Sequence, residues 1–285
     1  MITGNRLPLQ VRPAPQPENN AWQQQLAQMI TDLPALLDYL QLHHPPDELA
    51  DMARNPFPVR VTRHFADLMQ PGDWHDPLLQ QVLPWAREAE TTEGFVTDPL
   101  AEEAATALPG LIHKYRSRVL LVPTSACAIH CRYCFRRHFP YESHRLTPEH
   151  RRQILDYLRQ HEDINEVIFS GGDPLMLKDN QLADWLAALE AIPHLRRVRL
   201  HSRLPVVLPE RLTPQLLTLL EGTRLQALLV LHANHPQELS GQLDQHLTAW
   251  RRSRITLLNQ TVLLSMKHKF SSKMDRKRGS TLQSM

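Results

Sequence analysis

From residue 117 onward the apolar positions fall into short runs separated by longer amphipathic stretches. Val119, Leu120, Leu121 and Val122 form one run, and Val167, Ile168 and Phe169 another. Runs this short, flanked by turn residues, fit buried strands better than helices. The pattern predicts strands over 118–123, 166–170, 197–201, 225–231 and 255–264. Between them it predicts helices over 147–160, 179–192, 213–221 and 237–251. The helices at Thr147 and Thr213 open Thr-Pro, an N-cap hydroxyl followed by proline at the first helical position. Strands alternating with helices imply right-handed βαβ units and a parallel sheet, whose ligand sites lie at the C-terminal strand ends. No internal repeat is visible beyond this rhythm.

Residues 1–110 carry a different texture, with frequent proline and helical apolar spacing. Trp22, Leu26, Met29 and Ile30 predict a helix over 21–31, and Leu33, Leu36, Leu37 and Leu40 one over 33–42. Leu78, Leu79, Val82, Leu83 and Trp85 predict a third over 76–88. The chain therefore divides into a helical extension (1–110), an α/β body (111–264) and a basic segment (265–285) without apolar period. Residues 266–285 carry six Lys or Arg against Asp275 alone, so the net charge of +2 resolves into a mildly acidic body and a basic end. A nucleic-acid footprint spread over the body is not expected. Hydrophobic content of 42% and charge of 22% are those of a soluble globular protein. No apolar stretch approaches the ~20 residues of a membrane span, and no secretory signal is evident. A cytoplasmic location, with reduced thiols, is the expectation.

Chemistry enters with the cysteines. Cys127, Cys131 and Cys134 are the three in the chain, and all lie within eight residues. Clustering in one loop argues against a disulfide framework and for joint use. Three thiolates can hold three irons of a [4Fe–4S] cluster, leaving the fourth open to another ligand. With His130 or His138 they could instead make a Cys3His zinc site, although structural zinc sites usually divide their ligands between two knuckles. The loop follows the first strand of the α/β body, where catalysis is expected. After the second strand comes Ser170-Gly171-Gly172-Asp173-Pro174-Leu175. Adjacent glycines serve a strand-to-helix turn, or let the backbone come close to a ligand, and Asp173 could accept from an amine.

Together these residues resemble the radical S-adenosylmethionine (SAM) enzymes, with Cys127–Cys134 as CxxxCxxC, Tyr133 before the last cysteine, and Gly171-Gly172-Asp173 as the glycine-rich amine site. Further runs narrow the resemblance to the lysine 2,3-aminomutase family: His113 to Leu121, Cys131 to Phe139, Ser170 to Leu175, His201 to Pro205 and Asn259 to Leu264. His138-Phe139-Pro140-Tyr141 looks most like the bacterial branch that serves elongation factor P. The resemblance spans about residues 70–264. It implies a partial TIM-type (β/α) barrel with an N-terminal helical extension. It also implies conversion of (S)-α-lysine to (R)-β-lysine, which a partner ligase attaches to elongation factor P. The implied cofactors are a [4Fe–4S] cluster, SAM and pyridoxal 5′-phosphate (PLP).

Residue by residue, the resemblance assigns Cys127, Cys131 and Cys134 to the cluster. It assigns Gly171, Gly172, Asp173 and Gln260 to SAM, and Lys114, Tyr115 and Arg118 to the PLP phosphate. Arg136 takes the substrate carboxylate. Cations and a phenol suit a phosphate, and a guanidinium suits a carboxylate. A solvated basic face is the plainer reading of the first three, and a surface charge or phosphate contact that of Arg136. His232 and Asn234, at the fourth strand's end, are expected near the same pocket. After Leu264 the resemblance stops. The expectation is a non-family tail in which no lysine can be assigned the Schiff-base role, and Lys267, Lys269 and Lys273 lack the context for it. Residues 255–264 would then form an exposed apolar edge strand. Two alternatives to an active enzyme follow: an inactive remnant that binds cluster and SAM without covalent PLP, and a zinc-binding structural protein.

Overall fold

The short apolar runs form the strands, and the amphipathic stretches cover them. In a computed structural model, which describes residues 21–45, 49, 57–90, 93–94 and 96–263, five strands lie parallel and in chain order. They are β3 (Arg118–Leu121), β4 (Glu166–Phe169), β5 (Arg197–Ser202), β6 (Gln226–His232) and β7 (Thr256–Gln260). Two strands precede them, β1 (Thr106–Leu108) and β2 (Leu111–Tyr115), which pair antiparallel with each other and onto β3. The result is one seven-stranded mixed sheet in an α/β fold. Among the described residues β1 and β7 are its open edges. The segment 265–285, with its expected tail and its lysines, lies outside the described residues.

The covering helices start where the caps predict. α4 (Pro148–Gln160) begins after Thr147, whose hydroxyl accepts from His150 N at 3.1 Å. α5 (Asp179–Glu190) follows β4 and α7 (Pro214–Gly222) follows β5, the latter capped by Thr213. A single turn, α6 (Leu204–Val207), falls between β5 and α7 and was not expected. The helix predicted over 237–251 is shorter. Pro236–Glu238 makes a 3-10 turn that the Glu238 carboxylate closes, and α8 (Gly241–Arg251) restarts behind a Ser240 cap.

The extension is not purely helical. α1 (Ala21–Ala27), α2 (Leu33–Tyr39) and α3 (Arg63–Asp67) are short, and the helix predicted over 76–88 is absent. In its place stand two 3-10 turns, Leu79–Gln81 and Ala86–Ala89. Pro84 explains the break, because it lacks an N–H and disfavours helical backbone at Leu83. The extension also shares its core with the body. Trp22, Leu36, Phe65 and Leu79 belong to the same buried cluster as Leu121, Phe169, Leu200 and Leu229. Arg211, fully buried, fastens the two: its guanidinium lies 4.6 Å from the Trp22 ring and pairs with Asp179 at 2.7 Å.

At the far edge, among the described residues β7 pairs with β6 alone, and Leu258 and Leu263 are 42% and 93% exposed. Of the apolar residues expected to be exposed over 255–264, Leu258 and Leu263 are, Ile255 is buried and Leu257 half-buried, and Leu264 lies outside the described residues. No helix among them is long and apolar enough to cross a membrane.

Candidate active site

A cavity of about 470 Å3 runs along one face of the sheet, from the β2–β3 turn and the start of β3 to the C-terminal ends of β5, β6 and β7. Its sheet wall includes Leu120, Ile168, His201, Val230, His232 and Gln260, and its opposite wall is the cysteine loop. All three cysteines line it. Each is half-buried because it faces this space, while the protein around it pushes the Cys127 and Cys134 thiols to higher pKa, through burial first and neighbouring negative charge second. Such thiols are poor free nucleophiles, but they suit ligation, where metal charge supplies what burial withholds.

The loop is held from the extension side. Arg60 donates to the Cys127 carbonyl at 3.1 Å, and Arg132 and Arg137 both pair with Glu88. Burial pushes the Glu88 pKa up, but hydrogen bonds from Arg132, Trp85 N and Arg137 outweigh it and hold the carboxyl below its usual value. His130, a possible fourth zinc ligand, stacks on Phe57 at 4.5 Å with its Nδ1 against the Pro58 carbonyl at 2.8 Å. Among the described residues no three His, Cys, Asp or Glu side chains converge on a single-ion site. A cluster needs no such convergence, since it takes one thiolate at each of three separate irons.

The glycine turn after β4 serves the chain first. Gly171 has φ +105°, and a Cβ there would stand 2.5 Å from Val122 Cγ1. At Gly172 a Cβ would stand 2.6 Å from the Ala126 carbonyl oxygen. The close approach is therefore to the start of the cysteine loop, where Gly172 N and Asp173 N donate to the Thr124 and Ala126 carbonyls at 3.0 and 2.8 Å.

Asp173 requires a correction. Its Oδ1 accepts from Leu175 N (3.0 Å) and Ser202 Oγ (2.6 Å), and its Oδ2 from Arg203 N and Leu204 N (both 2.8 Å). Burial raises its pKa, and these four bonds oppose the rise. A carboxylate offers about four acceptor positions, so none is left for an amine. Asp173 ties the end of β4 to the N-terminus of α6 and shapes the cavity from behind.

Arg136 is 5% exposed, which removes the surface-charge reading. Its Nε and Nη2 grip the Glu102 carboxylate at 2.7 and 2.6 Å, and Nη1 donates to Ser170 Oγ at 2.9 Å. Three of five N–H donors are used. The two that remain are one on Nη1 and one on Nη2, donors suited to a second carboxylate. Lys114, Tyr115 and Arg118 lie around the β2–β3 turn on the cavity rim, and all three are exposed. Lys114 donates to the Leu100 carbonyl, and the Arg118 guanidinium lies 5.5 Å from the Tyr115 ring centroid.

Gln260 meets His201 across the mouth, Oε1 to Nδ1 at 2.9 Å. The Nε2 atoms of His201 and His232 are buried with no partner among the described residues, so two polar atoms at the strand ends await one. Asn234 does not line the cavity itself but braces two residues that do: its Nδ2 donates to Tyr133 Oη, and its Oδ1 accepts from Val262 N at 2.9 Å. Its Nδ2 also donates to Gln81 Oε1 at 2.9 Å.

His232 also predicts a pH dependence. Burial first, then the Arg203 and His201 charges, lower its pKa to about 4, against a small opposing effect of Asn234. The Tyr133 ring, 5.7 Å away edge-on, is its other neighbour. A histidine whose folded pKa lies below its unfolded value contributes full stability above about pH 6.5. That contribution is lost as pH falls and levels off below about pH 4, for up to about 3 kcal/mol. Urea midpoints taken across this range should fall less steeply for His232→Gln than for the wild type. Parallel slopes would refute the prediction.

Reading the sequence alone misses Glu102, Gln81, Glu88 and Glu238. They are lone polar residues in turns, and nothing local marks them. The available signal was indirect: Arg136 and Arg203 flank motif residues, and a buried guanidinium must have an acidic or amide partner.

Residues 121–223 match the Radical SAM superfamily. Over 247 residues the chain is 45% identical to the L-lysine 2,3-aminomutase of Haemophilus influenzae, covering 87% of this chain and 73% of that one. It is 46% identical over 250 residues to the Escherichia coli (strain K12) L-lysine 2,3-aminomutase, covering 87% and 72%. Identity to the Clostridium subterminale L-lysine 2,3-aminomutase is 34% over 246 residues, covering 86% and 59%. With that identity and coverage joined to a three-cysteine loop on this cavity, the chain belongs to the radical SAM lysine 2,3-aminomutase family.

Proposed function

We propose that this protein is an L-lysine 2,3-aminomutase, which moves the α-amino group of lysine to the β-carbon and gives β-lysine. One observation carries the reading: the three cysteines, Arg136 and the basic rim of Lys114 and Arg118 all line one cavity. Bound there, a [4Fe–4S] cluster with SAM supplies a hydrogen-abstracting radical, and PLP supplies a carrier for the migrating nitrogen.

The chain's own residues have distinct tasks in this reading. Cys127, Cys131 and Cys134 ligate three irons. Gly171 and Gly172 keep the β4 end close to the cysteine loop, and Asp173 fixes the neighbouring strand end, so that together they shape the SAM site. Gln260, with the open nitrogens of His201 and His232, meets SAM from the sheet. Lys114, Tyr115 and Arg118 take the PLP phosphate at the rim, where Lys114 exchanges the Leu100 carbonyl for phosphate oxygen. The two remaining Arg136 donors orient the lysine carboxylate. We read β3 to β7 with their helices as a partial (β/α) barrel within 111–264, and 1–110 as an extension that braces the cluster loop. The product fits a role in modifying elongation factor P, as the Phe139-Pro140-Tyr141 segment suggests.

The test is anaerobic reconstitution with iron and sulfide, then incubation with SAM, PLP, a reductant and L-lysine labelled with 15N at the α-position. The expected product is β-lysine carrying the label on the β-carbon. Full cluster content with an absorption spectrum indifferent to SAM, and no labelled β-lysine, would overturn the reading.

A further inference from the structure

Arg203 follows β5 directly, and its main-chain N–H is one of the four donors on Asp173. Its side chain runs beneath the cysteine loop and is 5% exposed. Nη1 donates to Cys131 Sγ at 2.8 Å and to Tyr133 Oη. Nη2 donates to Gln81 Oε1 at 2.6 Å and reaches Glu238 Oε2 at 3.3 Å. The guanidinium lies 5.2 Å from the Phe65 ring and 5.4 Å from the Tyr133 ring, so it is walled in on both sides. Glu238 is itself fully buried, and its other oxygen accepts from Gln81 Nε2 at 2.8 Å and from the main-chain N–H groups of Asn234 and His235.

The charge balance is what makes this arrangement informative. A buried guanidinium needs a firm anionic partner. Glu238 is the only carboxylate paired with it among the described residues, at the long end of hydrogen-bond range, and it is shared with three other donors. The shorter contact is to sulfur. Cys127 offers no parallel, since Arg60 engages its carbonyl oxygen. Of the three cysteines, Cys131 has the only sulfur that receives a charged side-chain donor among the described residues.

We propose that Arg203 is a positioning residue of the iron–sulfur site, which through its bond to Cys131 Sγ raises the reduction potential of the cluster. This rests on the reading of the cysteines as cluster ligands. Reduction adds an electron to the iron–sulfur unit. A cationic N–H on a ligand sulfur draws charge away from it and favours the reduced state, and hydrogen bonds to sulfur are among the factors that set such potentials. Glu238 opposes this by neutralising the guanidinium. The two residues should therefore move the potential in opposite directions, which general disturbance of the loop would not do.

The experiment is a mediated redox titration of the anaerobically reconstituted protein without SAM or lysine, read by electron paramagnetic resonance of the reduced cluster, with iron counted in each sample. Arg203→Gln should shift the midpoint to more negative potential, Arg203→Lys should fall between it and wild type, and Glu238→Gln should shift it to more positive potential. Wild-type midpoints in iron-replete Arg203→Gln and Glu238→Gln, or shifts of the same sign in both, would overturn the proposal. Should Arg203→Gln fail to take up iron, Arg203→Lys and Glu238→Gln decide by the same opposite signs. A wild-type protein that binds no cluster would instead overturn the ligand reading on which the proposal rests.

Discussion

Asp173→Ala should cost the apo-protein about 3–5 kcal/mol of unfolding free energy. The carboxylate accepts four hydrogen bonds inside the protein, from Leu175 N, Ser202 Oγ, Arg203 N and Leu204 N. Alanine strands two main-chain donors, Leu175 N and Arg203 N, while Leu204 N keeps Ser202 Oγ at 3.1 Å, and it leaves a cavity the size of a carboxylate. Each buried unsatisfied donor costs about 1–3 kcal/mol, and a water entering the space would recover part of the loss. Domains of ordinary stability have about 5–15 kcal/mol in total, so the variant should be near its threshold at 37 °C. Asp173→Asn should be milder, by an argument from donors and acceptors. Turned with its oxygen toward Arg203 N and Leu204 N, the amide keeps those two bonds. Its NH2 can donate to the Ser202 hydroxyl, and only Leu175 N–H then faces another donor, at about 1–3 kcal/mol. Urea denaturation of the two variants gives the ranking. An alanine variant within 1 kcal/mol of wild type would mean that the β4 and β5 ends do not depend on this bridge.

The same residue shows where sequence reading reaches its limit. An acid after a strand and two glycines is visible in the sequence, and its proximity to the site follows from strand-end geometry. Whether its lone pairs are free depends on α6, a single turn too short to leave a periodic signal. The larger framework was legible for the opposite reason. β3 to β7 are apolar runs in a regular alternation with capped helices, and each pattern supports the next. β1 and β2 were hidden because they are three and five residues long and pair antiparallel outside that rhythm. The region around Leu79 and Val82 has the apolar spacing of a helix, but Pro84 breaks the backbone and the apolar side chains reach the core from 3-10 turns.

The polar partners of the site were illegible for a topological reason. Gln81 and Glu238 bond across a separation of 157 residues, and Arg136 and Glu102 across 34. Local pattern carries no record of such pairs. They also give the extension a role that its composition does not suggest. Arg60, Gln81, Glu88 and Glu102 reach the cysteine loop or the groups beside it, so residues before the sheet supply much of the polar support behind the candidate cluster site.

Arg136 and Glu102 allow binding and stability to be separated. Arg136→Met removes the two donors proposed for the lysine carboxylate. Two charge-assisted hydrogen bonds at about 1.5–3 kcal/mol each correspond to a fall in kcat/KM of roughly two to four orders of magnitude. The same change leaves Glu102, a nearly buried carboxylate, without its cation, which should cost about 3–5 kcal/mol of stability. Arg136→Lys should restore little of either, because an ammonium cannot hold Glu102 bidentately, reach Ser170 and present two further donors at once. The double variant Arg136→Met/Glu102→Met removes both charges and should recover most of the lost stability while kcat/KM for lysine stays low. Steady-state kinetics on the reconstituted enzyme and urea denaturation of the apo-protein read the two effects independently. Recovery of lysine turnover in the double variant would show that Arg136 acts only as the partner of Glu102. Failure to recover stability would show instead that the ion pair is not what holds this wall of the cavity in place.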